Sequence, residues 1–177
     1  MDSGSRKLKD CWIALHNFTD RWQKLQQQSL APLAAAADQR ILLIDQSASA
    51  ASDPDFDADQ SRAILQHSCS QLFDYVNSFR EAFEKLQAVE ESSRHLVELG
   101  TQGPSGDLSP QRLMVKCQEF KSDFEQELNC KRAILADLPF AKDRDVVMTC
   151  LSAWNHEIYL KPERIQMLRA LVCSAYD

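Results

Sequence analysis

Thiols and imidazoles are the side chains best able to serve as nucleophile, base or metal ligand. This 177-residue chain has six cysteines (Cys11, Cys69, Cys117, Cys130, Cys150, Cys173) and four histidines (His16, His67, His95, His156). The cysteines form no C-x-x-C pair, and no histidine stands at zinc-finger spacing from them, so a metal centre is not expected. Free cysteine behaves as a small buried hydrophobe. With no secretory leader visible, reduced thiols are expected rather than disulfides. A nucleophile–base pair such as Cys150 with His156 is six residues apart. Helical neighbours stand three or four apart, which puts these two on different faces. G-x-S-x-G, H-E-x-x-H and a phosphate loop ending in G-K-[ST] are all missing from the sequence. No catalytic residue, cofactor or metal ligand is expected, and the chain does not read as an enzyme.

The stretch "LSAWNHEIYLKPE", residues 151–163, concentrates Trp154, His156 and Tyr159 within a short span. Cys150, Leu151 and Trp154 share a helix face, whereas His156 falls on another side, and Pro162 cannot continue the helix. Two readings stay open. Trp154 and Tyr159 could close a core at a helix end, each with one dry and one wet end. They could equally anchor a partner, since tryptophan and tyrosine are enriched at binding hot spots.

The elements that must position these residues follow from the apolar spacing. No glycine occurs between Gly4 and Gly100, and three of the four fall in "GTQGPSG", residues 100–106; glycine-free stretches permit long helices. Leu8, Leu15 and Trp22 recur every seven residues, with Cys11, Phe18 and Leu25 as the alternating set. That seam predicts a first helical segment over 5–46, with a possible break at Pro32. Residues 47–58 read as an exposed linker. A second seam, Leu65, Leu72, Phe79 and Leu86 alternating with Cys69, Val76 and Phe83, predicts a long helix over 59–99. It weakens where Glu90 and Ser93 take seam positions. A loop over 100–109 ends at Ser109-Pro110, an N-cap followed by proline at the first helical position. The third helix, 110–138, places Leu113, Cys117, Phe120 and Phe124 on one face, then shifts register through Leu128, Leu135 and Leu138 as a four-residue stutter. Two short helices follow, over 143–160 and 162–175, the last with Ile165, Leu168 and Leu171 inward. The expected fold is all-α, a single elongated antiparallel helical bundle or coiled coil of long helices with a short C-terminal helical hairpin.

The formal net charge of −6 argues against a nucleic-acid surface, which needs a basic excess. The basic start Arg6, Lys7 and Lys9 reads as a solvated helix face. No apolar run approaches the roughly 20 residues needed to span a bilayer, and the first residues lack the apolar core of a signal peptide. A soluble intracellular protein is expected. "SPQR", residues 109–112, has the Ser-Pro-x-basic form read by proline-directed kinases, which makes Ser109 a candidate regulatory phosphosite at a helix N-terminus.

Three blocks resemble the cyclin-dependent kinase 2-interacting protein family. The first is Arg6-Lys7-Leu8-Lys9-Asp10 with His16-Asn17, Trp22 and Leu25. The second is Glu127-Leu128 with Lys131-Arg132, continuing to Leu138. The third is Leu151-Ser152 with Trp154, His156 and Tyr159. One departure is Leu15, where the family pattern has an aromatic. The resemblance implies a non-catalytic helical adaptor in the nucleus, with a cytoplasmic fraction. It implies partners among cyclin-dependent kinase 2 with its cyclin, the replication-initiation kinase and the ATR-interacting protein of checkpoint signalling. It also implies membership, with a second small helical cofactor, of an AAA+ ATPase complex acting in pre-60S ribosome maturation and replication-factor turnover. The candidate partner-binding residues are Leu8, Leu15, Trp22, Phe79, Phe83, Leu151, Trp154, His156 and Tyr159. The alternative is a self-associating coiled-coil tether, which the bulky Phe and Trp on the seams disfavour, since two-stranded dimers prefer Ile, Val and Leu there.

Overall fold

The computed structural model describes residues 3–48, 56–101 and 108–176, with side chains as far as Cys173. Every regular element among them is helical, so the chain is all-α. Helix α1 spans Ser3–Ala48, α2 Ala58–Glu98, α3 Pro110–Asp137, α4 Arg144–His156 and α5 Pro162–Tyr176, with a 3-10 turn at Leu138–Phe140 between α3 and α4. Most of the expected linker over 47–58, and of the loop over 100–109, lies outside the described residues.

The helix ends follow local chemistry. Asp57 caps α2, its Oδ1 accepting the backbone N–H groups of Asp59 at 3.0 Å and Gln60 at 2.9 Å; such a carboxylate satisfies donors that the first turn leaves unpaired. At the other end Gly100 takes φ +61°. Thr101 donates its N–H to the Leu96 carbonyl and Gly100 to that of Val97, the paired closure that a left-handed glycine makes possible. Ser109 Oγ accepts from Arg112 N at 3.3 Å, and Asp143 Oδ1 accepts from Val146 N at 2.9 Å. Pro32 lies inside α1 and does not end it.

Each long helix buries one stripe in which steps of four and three alternate. On α1 it runs Leu8, Trp12, Leu15, Thr19, Trp22, Gln26, Ser29, Leu33, Ala36. Trp12, not Cys11, holds the second position, and Cys11 is only half-buried. On α3 the stripe runs Leu113, Cys117, Phe120, Phe124, Glu127, Lys131, Ile134 and on to Leu138. The expected register shift is therefore absent: the alternation continues through two charged residues, and Leu135 is half-buried beside it. On α2 the stripe likewise continues past Leu86, with Glu90 and Ser93 buried as far as Leu96.

The chain divides into two compact units. Unit 1 is Met1–Lys24, Arg80–Gln126 and Tyr159–Asp177; unit 2 is Leu25–Phe79 and Glu127–Ile158. In unit 1, Phe124 stacks edge-on to both Phe18 and Trp22, each with ring centres 4.7 Å apart. Edge-to-face pairs at this separation add to the gain from burial alone. The Trp12 indole donates to the Leu108 carbonyl at 3.2 Å. These pairs set α1 and α3 running in the same direction. Glu90, only 6% exposed, is neutralised by Lys121 at 2.7 Å and Arg94 at 3.1 Å. Its burial is tolerable because both carboxylate oxygens have a cation. Helix α5 is fixed by Arg164 donating to Asp123 at 2.7 Å and by Arg169 donating to Asp20 and Gln23.

Unit 2 packs Leu33, Leu65, Leu72, Val76, Leu138 and Val147 into its core. Arg40 Nε donates to the Ala141 carbonyl at 2.7 Å, tying α1 to the segment that follows the 3-10 turn.

Candidate functional site

The most unusual chemistry sits in unit 2, around a lysine with no solvent exposure. Lys131 is placed there by its helix: three positions beyond Leu128 and four beyond Glu127, it continues the inward stripe of α3. Its Nζ donates to Gln26 Oε1 at 2.7 Å, lies 3.1 Å from Glu127 Oε1 and reaches Glu157 Oε1 at 3.8 Å. The ammonium also faces two rings, 4.8 Å from the centre of Trp154 and 5.2 Å from that of Phe79, a cation–π geometry that strengthens away from water. Burial pushes the Lys131 pKa below its ordinary value, and the two carboxylates pull in the opposite direction. Desolvation is the larger effect, as expected for a cation removed from water.

The remaining polar groups interlock. Trp154 Nε1 donates to Ser29 Oγ at 3.0 Å, and Ser29 Oγ donates to the Gln26 carbonyl at 2.8 Å. Gln26 Nε2 donates to the Trp154 carbonyl at 2.7 Å. Side chains from α1, α2, α3 and α4 thus meet at one point. A buried polar network of this kind fixes one arrangement of its elements, because each broken bond leaves a group unsatisfied.

What this network holds in place is the end of α4. The helix stops at His156, short of the expected residue 160, because Glu157 turns into the left-handed region at φ 45°. A non-glycine residue there costs about 1–2 kcal/mol; the approach of its carboxylate to Lys131 offsets part of that strain. Pro162 opens α5 rather than merely stopping α4. His156 and Ile158 are consequently displayed to solvent, Ile158 at 57%.

The candidate partner-binding residues separate into two groups. Leu8, Leu15, Trp22, Phe79, Phe83 and Trp154 are covered by their own chain. They are packed as core residues of their own units. The physical reason is that the alternating stripes are satisfied internally. Leu151 is half-buried, while His156 and Tyr159 are exposed. Ser109 is half-buried at its cap position, with Pro110 to Arg112 already wound into α3. Cys150 is buried and His156 exposed, so the structure does not bring that pair together. All six cysteines are free. Burial pushes the thiols of Cys11, Cys69, Cys130 and Cys150 up, and that of Cys117 to about 12. Thiols so shifted are poor nucleophiles at neutral pH. Among the described residues no group of three or more His, Cys, Asp or Glu side chains could hold a metal ion, and no helix is long and apolar enough to cross a membrane.

Sequence reasoning missed Gln26, Ser29, Glu127 and Lys131 as members of a site. Extending the three–four alternation from Leu113 does land on Glu127 and Lys131, but their charged types give no sign that the stripe stays buried there.

No protein-family model matches the chain. Similarity is found to cyclin-dependent kinase 2-interacting proteins from two vertebrates. A cyclin-dependent kinase 2-interacting protein of Xenopus laevis is 21% identical over 172 residues, covering 90% of this chain and 83% of that protein. The protein of the same name from Mus musculus is 23% identical over 185 residues, covering 95% of this chain and 87% of its own length. Glu127, Lys131 and Trp154, on which the second and third blocks of resemblance rest, are the residues that build the buried network. The chain, all-helical in its described residues, is thus similar along nearly its whole length to proteins named as cyclin-dependent kinase 2-interacting.

Proposed function

We propose that the chain is a non-catalytic helical adaptor that binds cyclin-dependent kinase 2 with its cyclin. The observation that carries this reading is the similarity over 90% and 95% of the chain to two proteins named for that interaction. The geometry supports it in a specific way. A rigid network spends four helices on fixing a corner that displays His156 and Ile158, with no reactive group inside it. Rigid presentation of exposed side chains lowers the ordering cost of association. The desolvated thiols support the non-catalytic part.

The finer assignments rest on the resemblance alone. They are contacts with the replication-initiation kinase and the ATR-interacting protein, and assembly with AAA+ ATPases and a second small helical cofactor in pre-60S ribosome maturation and replication-factor turnover. Nuclear residence with a cytoplasmic fraction belongs with them, while the expected lack of direct nucleic-acid or membrane contact rests on the net charge of −6 and the want of a long apolar run. The self-associating tether loses ground, because the seams that would drive it are covered within one chain.

Affinity purification of the tagged chain from its own cells, read by quantitative mass spectrometry, tests the reading. Enrichment of the kinase with its cyclin is expected, and enrichment of AAA+ ATPases extends it to the larger assembly. Recovery of the chain without any kinase would overturn the central assignment.

A further inference from the structure

The end of α4 inverts the usual polarity of burial. Glu157 and Ile158 stand three and four positions beyond the buried Trp154, so a continuing helix would carry both on the face that Trp154 buries. Burial ordinarily favours the apolar one. Instead Ile158 is 57% exposed beside an exposed His156, while the Glu157 side chain is only 18% exposed. The backbone makes the exchange. Glu157, at φ 45°, is the one non-glycine residue with a positive φ among the described residues. Side chains with a Cβ disfavour that region, and strain held at a single position points to a role for it.

Strain and the exposure of Ile158 both oppose this arrangement, so an interior contact must outweigh them. Lys131, with no solvent exposure, lies 3.8 Å from the Glu157 carboxylate. At that length the contact is one of charge rather than a hydrogen bond, and it strengthens as water is excluded. Gln26 ties the same lysine to the last turn of α4. Its Oε1 accepts from Lys131 at 2.7 Å, and its Nε2 donates to the Trp154 carbonyl at 2.7 Å. The ammonium and the helix end are thereby held in a fixed relation to which Glu157 adds its own contact.

We propose that Glu157 is the positioning residue of this corner: the charged Lys131 ammonium draws its carboxylate inward, which keeps the backbone left-handed and turns His156 and Ile158 outward. The inference rests on the adaptor reading only in what the displayed side chains are for.

The test uses the full chain. A positive φ brings a residue's amide and α protons together, which gives a strong cross-peak between them in NMR. The parent should show it at Glu157. Glu157→Gln keeps the size of the side chain and removes its charge; it should lose that cross-peak with an unchanged circular dichroism spectrum. The ionisable groups around Lys131 are Glu127 and Cys130 of its own helix and Glu157, while α1 and α2 face it with the neutral Gln26 and Phe79. Titration of Lys131, followed by the carbon shift of its Cε, should therefore have a lower midpoint in Glu157→Gln, since the Glu157 charge raises it. Capture of the kinase separates positioning from direct contact. Glycine takes a positive φ without steric cost, so Glu157→Gly should keep capture, whereas Glu157→Gln should weaken it about tenfold by loosening the corner. A cross-peak that persists in Glu157→Gln, an unmoved Lys131 midpoint, or equal loss of capture in the glutamine and glycine variants would overturn the proposal. If the parent itself captures no kinase, the adaptor reading falls, and the cross-peak and the midpoint still decide this one.

Discussion

The ammonium of Lys131 stands 4.8 Å from the centre of the Trp154 ring and shares it with no solvent. The pairing is the keystone of unit 2. Removing only one partner of a buried ion pair costs about 3–5 kcal/mol, because the other charge stays buried. Lys131→Met should therefore lower stability to urea by that amount. Lys131→Met combined with Glu127→Leu removes both charges of the 3.1 Å pair and should recover most of the loss, leaving the Gln26 amide oxygen without its donor and the Glu157 carboxylate without its cation. A double variant as unstable as the single one would show that the ion pair is not the reason Lys131 is tolerated.

Trp154 and Ile158 should separate folding from docking. Trp154 is wholly buried, and truncating a buried aromatic to alanine costs about 3–5 kcal/mol. Trp154→Ala is thus expected to lose the kinase by unfolding unit 2, visible in circular dichroism. Ile158→Asp and Tyr159→Ala alter exposed side chains, which ordinarily shift stability by about 0.5 kcal/mol or less. They should keep the melt and weaken capture of the kinase. If both retain full capture with an unchanged melt, the corner is not the docking surface.

These two cases show what could be read from residues alone. The long helices were legible because Leu8, Leu15 and Trp22, or Leu65, Leu72 and Phe79, repeat an apolar spacing that nothing but a helix explains. The corner was legible only as a cluster of types, since Trp154 reads equally as anchor or core. The network was not legible, because Glu127 and Lys131 four apart look like an ordinary exposed helical pair. Their burial depends on the stripe staying in phase through Phe124 to Ile134, a matter of register that apolarity alone does not reveal. The early end of α4 was hidden for a related reason. Glu157 has no intrinsic preference for a left-handed turn, and the lysine its carboxylate approaches lies 26 residues away in sequence.

The Cys117 thiol gives a pH signature with a definite sign. Its pKa is raised from the ordinary 9.0 to about 12 in the folded chain, first by burial. Below pH 9.0 both states hold the proton, and the contribution is fully present. As pH climbs from 9.0 toward about 12, the unfolded thiol ionises while the folded one does not, so stability falls, by at most about 1.4 kcal/mol per pH unit. Lys131, with its lowered pKa, contributes the opposite slope in the alkaline range. Urea melts across this range should therefore fall less steeply with pH in Cys117→Ala than in the parent. Equal slopes would contradict the burial of the thiol.

Ser109 offers a measurable cap. Losing an N-cap hydroxyl costs about 1 kcal/mol, and an aspartate can replace it because negative charge is favoured at a helix N-terminus. Ser109→Ala should be less stable than the parent by that amount, and Ser109→Asp about equal to it. Active cyclin-dependent kinase 2 with cyclin should phosphorylate a peptide spanning residues 104–114 faster than the folded chain, since Pro110 to Arg112 are wound into α3. No label at Ser109 on either substrate would remove the regulatory reading.

Light scattering during size-exclusion chromatography, with the purified chain alone and then mixed with cyclin-dependent kinase 2 and cyclin, tests the adaptor account most directly. The account predicts a monomer of about 20.1 kDa alone, joining the kinase in one co-eluting peak of summed mass. A stable homodimer that leaves the kinase in its own peak would contradict it.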